Sequence, residues 1–409
     1  MSSALTSRIA SADWGKLRGF EERLFTTRNL RLFGLFWITA NAAALARLFL
    51  GGLWPIITRE RPGSCIDFGW MWLSSRFAAL PDPARIYDYG EFAKAQSDLF
   101  GAGNCVLLTP FVYPPTYLFF TSPLGHFSFV SAFVLWNAAL LLFFGAVVYA
   151  IVRHWKTILA AVTLRPVQAD VYVGHNGLLT SGLMGSALVM LETRPLLAGF
   201  FLALLTYKPQ FGLLFPVALL ASQNWRALAS AGVFSIAFAL AAALTFGAHS
   251  WPAFLSSLLS RSGNLSPDPA VQLPLMSIYG IVQSAGFGAG VAFTAQAAVT
   301  LVLAAAVWMM WSKPIPYAIR AAFLCIASLM ATPYALAYDF SALAIALAFL
   351  LSDGLSRGFA TGERMAMLFC WLAPLTLAGA RIGPLIVCAV LLLLISRRLV
   401  MLRTEGAPA

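Results

Sequence analysis

Apolar residues in this chain run in long blocks, broken by short polar or proline-bearing joints and by one extended polar interruption near the start. The blocks predict spans at 32–53, 128–152, 157–171, 175–193, 195–207, 209–223 and 227–246. Further spans are predicted at 289–311, 317–334, 340–352, 365–380 and 383–399. Blocks of this kind suit a hydrocarbon core of about 30 Å, although several are short for it. The pair 195–207 and 209–223 reads equally as one long broken helix. The expected fold is an all-α polytopic membrane protein with about twelve transmembrane helices.

Two polar stretches stand between the spans, at 54–127 and 247–288. Inside the first, residues 111–125 are apolar but too short to cross. Treated as a span, they would place Arg153, His154 and Lys156 on the outer side. They are therefore expected to form a re-entrant or interfacial helix with both ends outside, opening at Pro114-Pro115 where a missing N–H costs nothing. Non-helical backbone at that depth needs protein or a wet cavity around it, so the segment implies a cavity. In the second stretch, the turn formers from Arg261 to Pro269 suit a lid or a plain connector.

Composition agrees with a membrane protein. Hydrophobic residues make up 60% of 409, charged residues 11%, and the mean hydropathy is +0.80, against about 25% charge in soluble domains. The net charge of +11 follows the positive-inside pattern. Arg8, Lys16, Arg18, Arg23, Arg28 and Arg31 precede the first span, and Arg153, Lys156, Arg194, Arg226, Lys313, Arg320, Arg357, Arg364, Arg397, Arg398 and Arg403 sit at alternate span ends. Both termini are thus expected inside, with residues 1–31 as an amphipathic tail contacting the anionic leaflet and 400–409 as a short C-terminal tail. No basic patch interleaved with aromatics and no nucleic-acid motif is present, so a nucleic-acid partner is not expected. No Walker A or dinucleotide fingerprint is present either, so energy must come from a gradient or from an activated substrate already in the membrane.

Cys325, Cys370 and Cys388 fall in apolar runs and read as core residues. Cys65 and Cys105 share the first outer loop, where a disulfide closing roughly 40 residues would contribute about 4 kcal/mol; two free thiols are the alternative. The cysteine and histidine spacing forms no zinc site.

Charges at membrane depth usually line a functional cavity or pair for packing. Arg47, Arg165, Asp170, Lys208, Asp339 and Arg381 are such residues, and the topology puts Asp170, Lys208, Asp339 and Arg381 near the outer face, with Asp67. Asp67 can accept a proton from an attacking hydroxyl, or simply cap the helix that follows it. Trp70, Trp72 and Phe77 are spaced for an amphipathic helix on the membrane, which would turn the acid towards the headgroups. Asp82 and Asp88 beside Tyr87 suit a solvated turn. Gly174-His175-Asn176-Gly177 offers polar groups for sugar hydroxyls or phosphate. Lys208 before Pro209 offers a cation at a helix start, a good phosphate site, or a lysine snorkelling to the interface.

Asp67-Phe68-Gly69, Ala84-Arg85-Ile86-Tyr87-Asp88, Tyr113-Pro114-Pro115, Gly174-His175-Asn176-Gly177 and Leu205-Thr206-Tyr207-Lys208-Pro209-Gln210 occur in order over roughly residues 30–225. In this series the chain resembles the integral-membrane C-type (GT-C) glycosyltransferases, and within them glycosyltransferase family 87, which includes polyprenyl-phosphate-mannose-dependent mannosyltransferases. The resemblance implies a GT-C membrane domain over 32–399 and inverting transfer of a sugar, mannose for preference, from a polyprenyl-phosphate donor to a hydroxyl of a lipid or glycan acceptor. It places the site on the outer side of the cytoplasmic membrane and makes Asp67 the general base. Lys208, His175, Arg47 and Arg381 are the candidates for the donor phosphate, and Tyr113, Asn176, Tyr338 and Asp339 those for the substrate. Many relatives carry paired acids where Phe68 and Gly69 follow Asp67 here, so no metal or other cofactor is expected. A transporter or lipid flippase is the rival reading; the long first loop and the lack of an internal repeat weigh against it.

Overall fold

The computed structural model describes residues 14–48, 50, 66–101, 110–260, 274–376 and 381–404. Its regular structure is helical, with no strand among the described residues. The chain begins with α1 (Trp14–Leu24) and α2 (Thr27–Leu48), then α3 (Phe68–Ala78) and α4 (Tyr89–Phe100). Next come α5 (Phe129–Val152), α6 (Trp155–Val162), α7 (Arg165–Val173), α8 (Gly177–Leu191), α9 (Pro195–Leu204) and α10 (Phe215–Ala221). They are followed by α11 (Trp225–Phe246), α12 (Ser250–Leu259), α13 (Ile278–Ser284), α14 (Ala289–Trp311) and α15 (Tyr317–Ala331). Last are α16 (Ala342–Arg357), α17 (Glu363–Thr376) and α18 (Gly383–Thr404).

Among the described residues, five helical runs are long and apolar enough to cross a bilayer: α5, α11, α14, the run Ala337–Arg357 that ends in α16, and Gly383–Leu402 of α18. Shorter apolar helices, including α8 and α15, pack among them. The protein is thus an all-α polytopic membrane protein, and the departures from the expected spans have local causes. The stretch 157–171 divides at Thr163–Leu164, because Pro166 in the first turn of α7 cannot continue the helix before it. The stretch 195–223 breaks at Lys208, whose φ of −129° and ψ of 71° are the non-helical geometry that Pro209 imposes on its neighbour. It breaks again before α10, which carries Pro216 in its first turn. Residues 111–125 form no single α-helix: three short turns, Pro115–Tyr117, Leu118–Thr121 and Ser122–His126, follow one another directly, with Pro115 and Pro123 at the starts of the first and third.

The centre of the fold is α8, buried along almost its whole length against α5, α9 and α16. Polar cross-links tie it in place. Ser181 and Ser341 hydroxyls lie 2.6 Å apart, and those of Thr180 and Tyr207 2.7 Å apart. Such bonds hold helices together where lipid supplies no hydrophobic drive for association. At the end read as inner, Arg398 joins Asp353 and Glu363, each at 2.7 Å. Glu21 of α1 is buried there and accepts the N–H groups of Gly362 and Arg364 at 2.9 and 3.1 Å. The expected surface tail is thus fastened at this point to the N-terminus of α17.

At the opposite end α3 packs on protein along most of its faces, which corrects the expectation of a helix lying on lipid. Phe68 meets Phe129 and Phe133 edge to face, Phe77 packs on Phe92, and Trp72 donates to the Phe127 carbonyl at 3.2 Å. Asp82 and Asp88 cap the helical turn Pro83–Tyr87 and α4 by accepting from Ala84 and Glu91 N–H. The turn expected from these acids is present. Cys65, Cys105 and the segment Arg261–Pro269 lie outside the described residues.

Candidate active site

A cavity of about 590 Å³ opens at the end of the bundle where α3, the turns after Pro114, the α9–α10 break and the segment before α16 meet. Its wall includes Trp70, Tyr113, Thr116, His175, Lys208, Gln210, Tyr338 and Asp339. On another side stand Ser235 and Ala239 of α11 with Trp251, Phe254 and Leu258 of α12. The wall is largely apolar with a few convergent polar groups, the usual make-up of a small-molecule site.

Each polar group is placed by a break in a helix. Lys208 is pushed off the helix axis by Pro209, is 5% exposed, and donates from Nζ to Asp339 Oδ1 at 2.7 Å. Asp339, 2% exposed, takes the Leu336 N–H at 2.9 Å with its other oxygen. Lys208 is therefore a paired cation rather than a snorkelling one. Its ammonium also lies 5.4 Å from the Tyr338 ring centre and 5.5 Å from that of Phe211. Two further N–H directions remain for a ligand oxygen.

His175 sits between two tyrosines. Its Nε2 is 3.3 Å from the Tyr113 hydroxyl and 3.1 Å from that of Tyr338, and its ring stacks on Tyr338 at 3.9 Å. Trp136 donates to the His175 carbonyl at 2.8 Å and fixes the backbone. Gly174, at φ +67°, ends α7 and allows the sharp turn into this position. At Gly177 a Cβ would collide with the Tyr338 carbonyl oxygen, so only glycine lets the two segments close on each other. Behind the cavity wall, Asn176 donates to the Tyr117 hydroxyl at 3.0 Å, and Tyr117 stacks between Tyr113 and Tyr207 at 4.3 and 5.1 Å.

Asp170 does not reach the cavity wall. Its two oxygens accept the N–H groups of Gly177 and Leu178 at 2.9 and 2.8 Å, capping α8 from the neighbouring helix. A carboxylate there satisfies two orphan donors and meets the positive end of the helix. Its role in this structure is architectural.

Asp67 occupies the N-cap position of α3 without capping it: its side chain accepts no bond from the first turn. No hydrogen bond or ion pair among the described residues engages this carboxylate. Burial pushes its pKa up to about 7, against a lowering by Lys208 and a further rise from Asp339. The acid is partly buried and does not itself line the cavity, but it feels the charges of both Lys208 and Asp339 in the wall.

Arg47, exposed on α2, and Arg381, half-buried before α18, do not line the cavity. The structure does not bring these two phosphate candidates to the other site residues. Conversely, Thr116, Gln210, Trp251 and Phe254 line it without having been singled out by sequence. For Thr116 and Gln210 the signal was their place inside Tyr113-Pro114-Pro115-Thr116-Tyr117 and Lys208-Pro209-Gln210. α12 covers its part of the cavity from the second outer stretch, and His249 at its head meets Asp82 of the first at 2.6 Å.

Residues 111–333 match the model of glycosyltransferase family 87. The chain belongs to that family. It is a glycosyltransferase, and sugar donor and acceptor are its substrates. The matched stretch includes Tyr113, His175, Asn176 and Lys208, and it runs beyond the anchors that ended near residue 225. Tyr338 and Asp339 lie outside it and join the cavity wall through the fold alone, and Asp67, also outside it, does not line the cavity. No curated protein and no solved structure matches the chain.

Proposed function

We propose that this glycosyltransferase moves a sugar, mannose in the first instance, from a polyprenyl-phosphate donor to a hydroxyl of a lipid or glycan acceptor, with inversion. Asp67 carries the proposal. It is a carboxylate without a hydrogen-bond or ion-pair partner among the described residues, raised by burial to a pKa of about 7 and close enough to the cavity's cation to feel its charge. A base with a pKa near the working pH is best matched to general-base catalysis.

In the proposed reaction the acceptor hydroxyl attacks the anomeric carbon from the face opposite the phosphate. Asp67 takes the hydroxyl proton as the new C–O bond forms. The bond from the anomeric carbon to the phosphate oxygen breaks, and polyprenyl phosphate leaves with the electron pair. Lys208 stabilises that developing negative charge, as fixed cations do when aimed at a leaving group. Asp339 holds Lys208 at the cavity wall, and the His175-centred tyrosines orient the sugar. One displacement at one carbon gives inversion. The site would face the outside of the cytoplasmic membrane, where the energy of the donor bond replaces a soluble nucleotide, and transfer would require no metal.

The test is transfer of radiolabelled mannose from polyprenyl-phosphate mannose by purified protein in detergent, with Asp67→Asn and EDTA as parallel arms. Transfer that survives EDTA and disappears in Asp67→Asn supports the proposal. Equal activity of the two proteins overturns Asp67 as the base, and activity lost in EDTA overturns metal independence.

A further inference from the structure

One helix of the cavity wall is lightly held. α12 presents Trp251, Phe254 and Leu258 to the cavity, at the three- and four-residue spacings of one helix face. Its other face carries Leu255 and Leu259, 50% and 72% exposed. Ser250 is the one buried residue of its ten, against seven of eleven in α3, so little packing fixes it in place. At its head His249 Nε2 meets Asp82 at 2.6 Å, a contact about half exposed on both sides. Phe254 packs on Tyr87 with ring centres 5.7 Å apart, and Trp251 donates to the Ala239 carbonyl at 3.2 Å. The turn beneath it is firm by comparison. Tyr87 is buried and donates to the Tyr113 carbonyl at 3.0 Å, and Asp82 accepts the Ala84 N–H at 3.1 Å. Between α11 and α12 stands Gly247, at φ +84°, a conformation that other residues adopt only under strain.

We propose that α12 is a lid, hinged at Gly247 and latched by His249 to Asp82, that opens the cavity to substrates and closes over them. A permanent wall would be packed as α3 is. Opening α12 instead parts a few light contacts and uncovers no buried side chain of its own except Ser250. The helix leaves the outer end of the span α11, so a raised lid lies at the membrane surface. There lipid can take the place of protein around its apolar side chains, which keeps the cost of opening small. Closed, Trp251 and Phe254 complete the wall that Lys208 and Asp339 share. Excluding water strengthens the pull of the Lys208 ammonium on an anionic group. It also keeps water from taking the place of the acceptor hydroxyl, which a glycosyltransferase must prevent.

Hydrogen exchange of the full-length protein in detergent reads the lid directly. In the wild type, α12 amides should exchange well ahead of those of α3 and α11. Asp82→Asn keeps an acceptor for the Ala84 N–H, and His249 makes no side-chain cap bond to α12, so neither His249→Gln nor Asp82→Asn uncaps a helix. Each should speed exchange of α12 about two- to fivefold, the range set by an exposed pair, with α3 unchanged. Ala239→Cys, in a protein whose Cys65 and Cys105 are replaced by serine, reports the opening to a soluble maleimide. Its labelling should quicken by a similar factor in both latch variants. Protection of α12 equal to that of α11, or exchange or labelling that neither latch variant changes, overturns the lid. Acceleration of α3 together with α12 overturns it too, because that is general destabilisation. No sugar donor enters the test, so its failure is distinct from a failure of Asp67 as the base.

Discussion

Lys208 Nζ lies 2.7 Å from Asp339 Oδ1, across 131 positions of sequence, with both side chains almost fully buried. The pair joins the break between α9 and α10 to the segment before α16. It therefore fixes two walls of the cavity relative to each other. Removing one partner of a buried pair destabilises by about 3–5 kcal/mol, because the other charge is left uncompensated, whereas replacing both by apolar residues is often far milder. Lys208→Met and Asp339→Leu should each lower the melting temperature clearly, and the double variant should recover much of the loss. Transfer should remain absent from the double variant, because no cation is left for the leaving phosphate. Recovery of transfer along with stability would show that Lys208 serves packing alone.

The pH profile should report Asp67. With a pKa of about 7 in the fold, kcat/KM should rise through that pH as the carboxylate loses its proton. Asp67→Asn should lower kcat about 10²- to 10⁴-fold and abolish that limb of the profile.

Stability should run the other way. The folded protein holds the Asp67 proton more tightly than the unfolded chain, so wild-type stability is lost as pH rises from about 4 to about 7. Asp67→Asn should therefore melt higher than wild type, by a margin that widens over that window and is constant above it. A margin independent of pH would rule out a raised pKa.

Asp170→Ala should uncap α8 and leave two buried N–H groups unmet, each costing about 1–3 kcal/mol. Melting should reveal the loss. Donor affinity of the protein that stays folded should be little changed, since Asp170 does not line the cavity. A donor KM that rises without any fall in melting temperature would move Asp170 from architecture to binding.

Glu21 ties α1 to the start of α17. Glu21→Ala should remove about 0.5–2 kcal/mol, the usual worth of a helix cap, and expose α1 to trypsin at Arg18 and Arg23. Unchanged cleavage at these sites would mean that the tail is held by other contacts.

Much of this protein was written in its one-dimensional pattern. The apolar blocks gave α5, α11 and α14 almost to the residue, because a bilayer demands long apolar helices whatever they pack against. Prolines at 166, 209 and 216 marked where helices must stop, although only the folded chain showed that the breaks divide expected spans. The motifs around Tyr113, His175 and Lys208 carried the family, and the family match covers them.

Only tertiary structure sorted the charges. Asp67, Asp170 and Asp339 look alike in sequence, each an acid beside an apolar run. Asp170 has two backbone N–H groups, Asp339 has a lysine, and Asp67 has no hydrogen-bond or ion-pair partner among the described residues. Arg47 and Arg381 likewise carried the right charge but lie away from the cavity. Hydropathy fixes how deep a residue lies along the membrane normal. It does not say which neighbour a side chain meets around the bundle, and that pairing separates an architectural acid from the one proposed as the base.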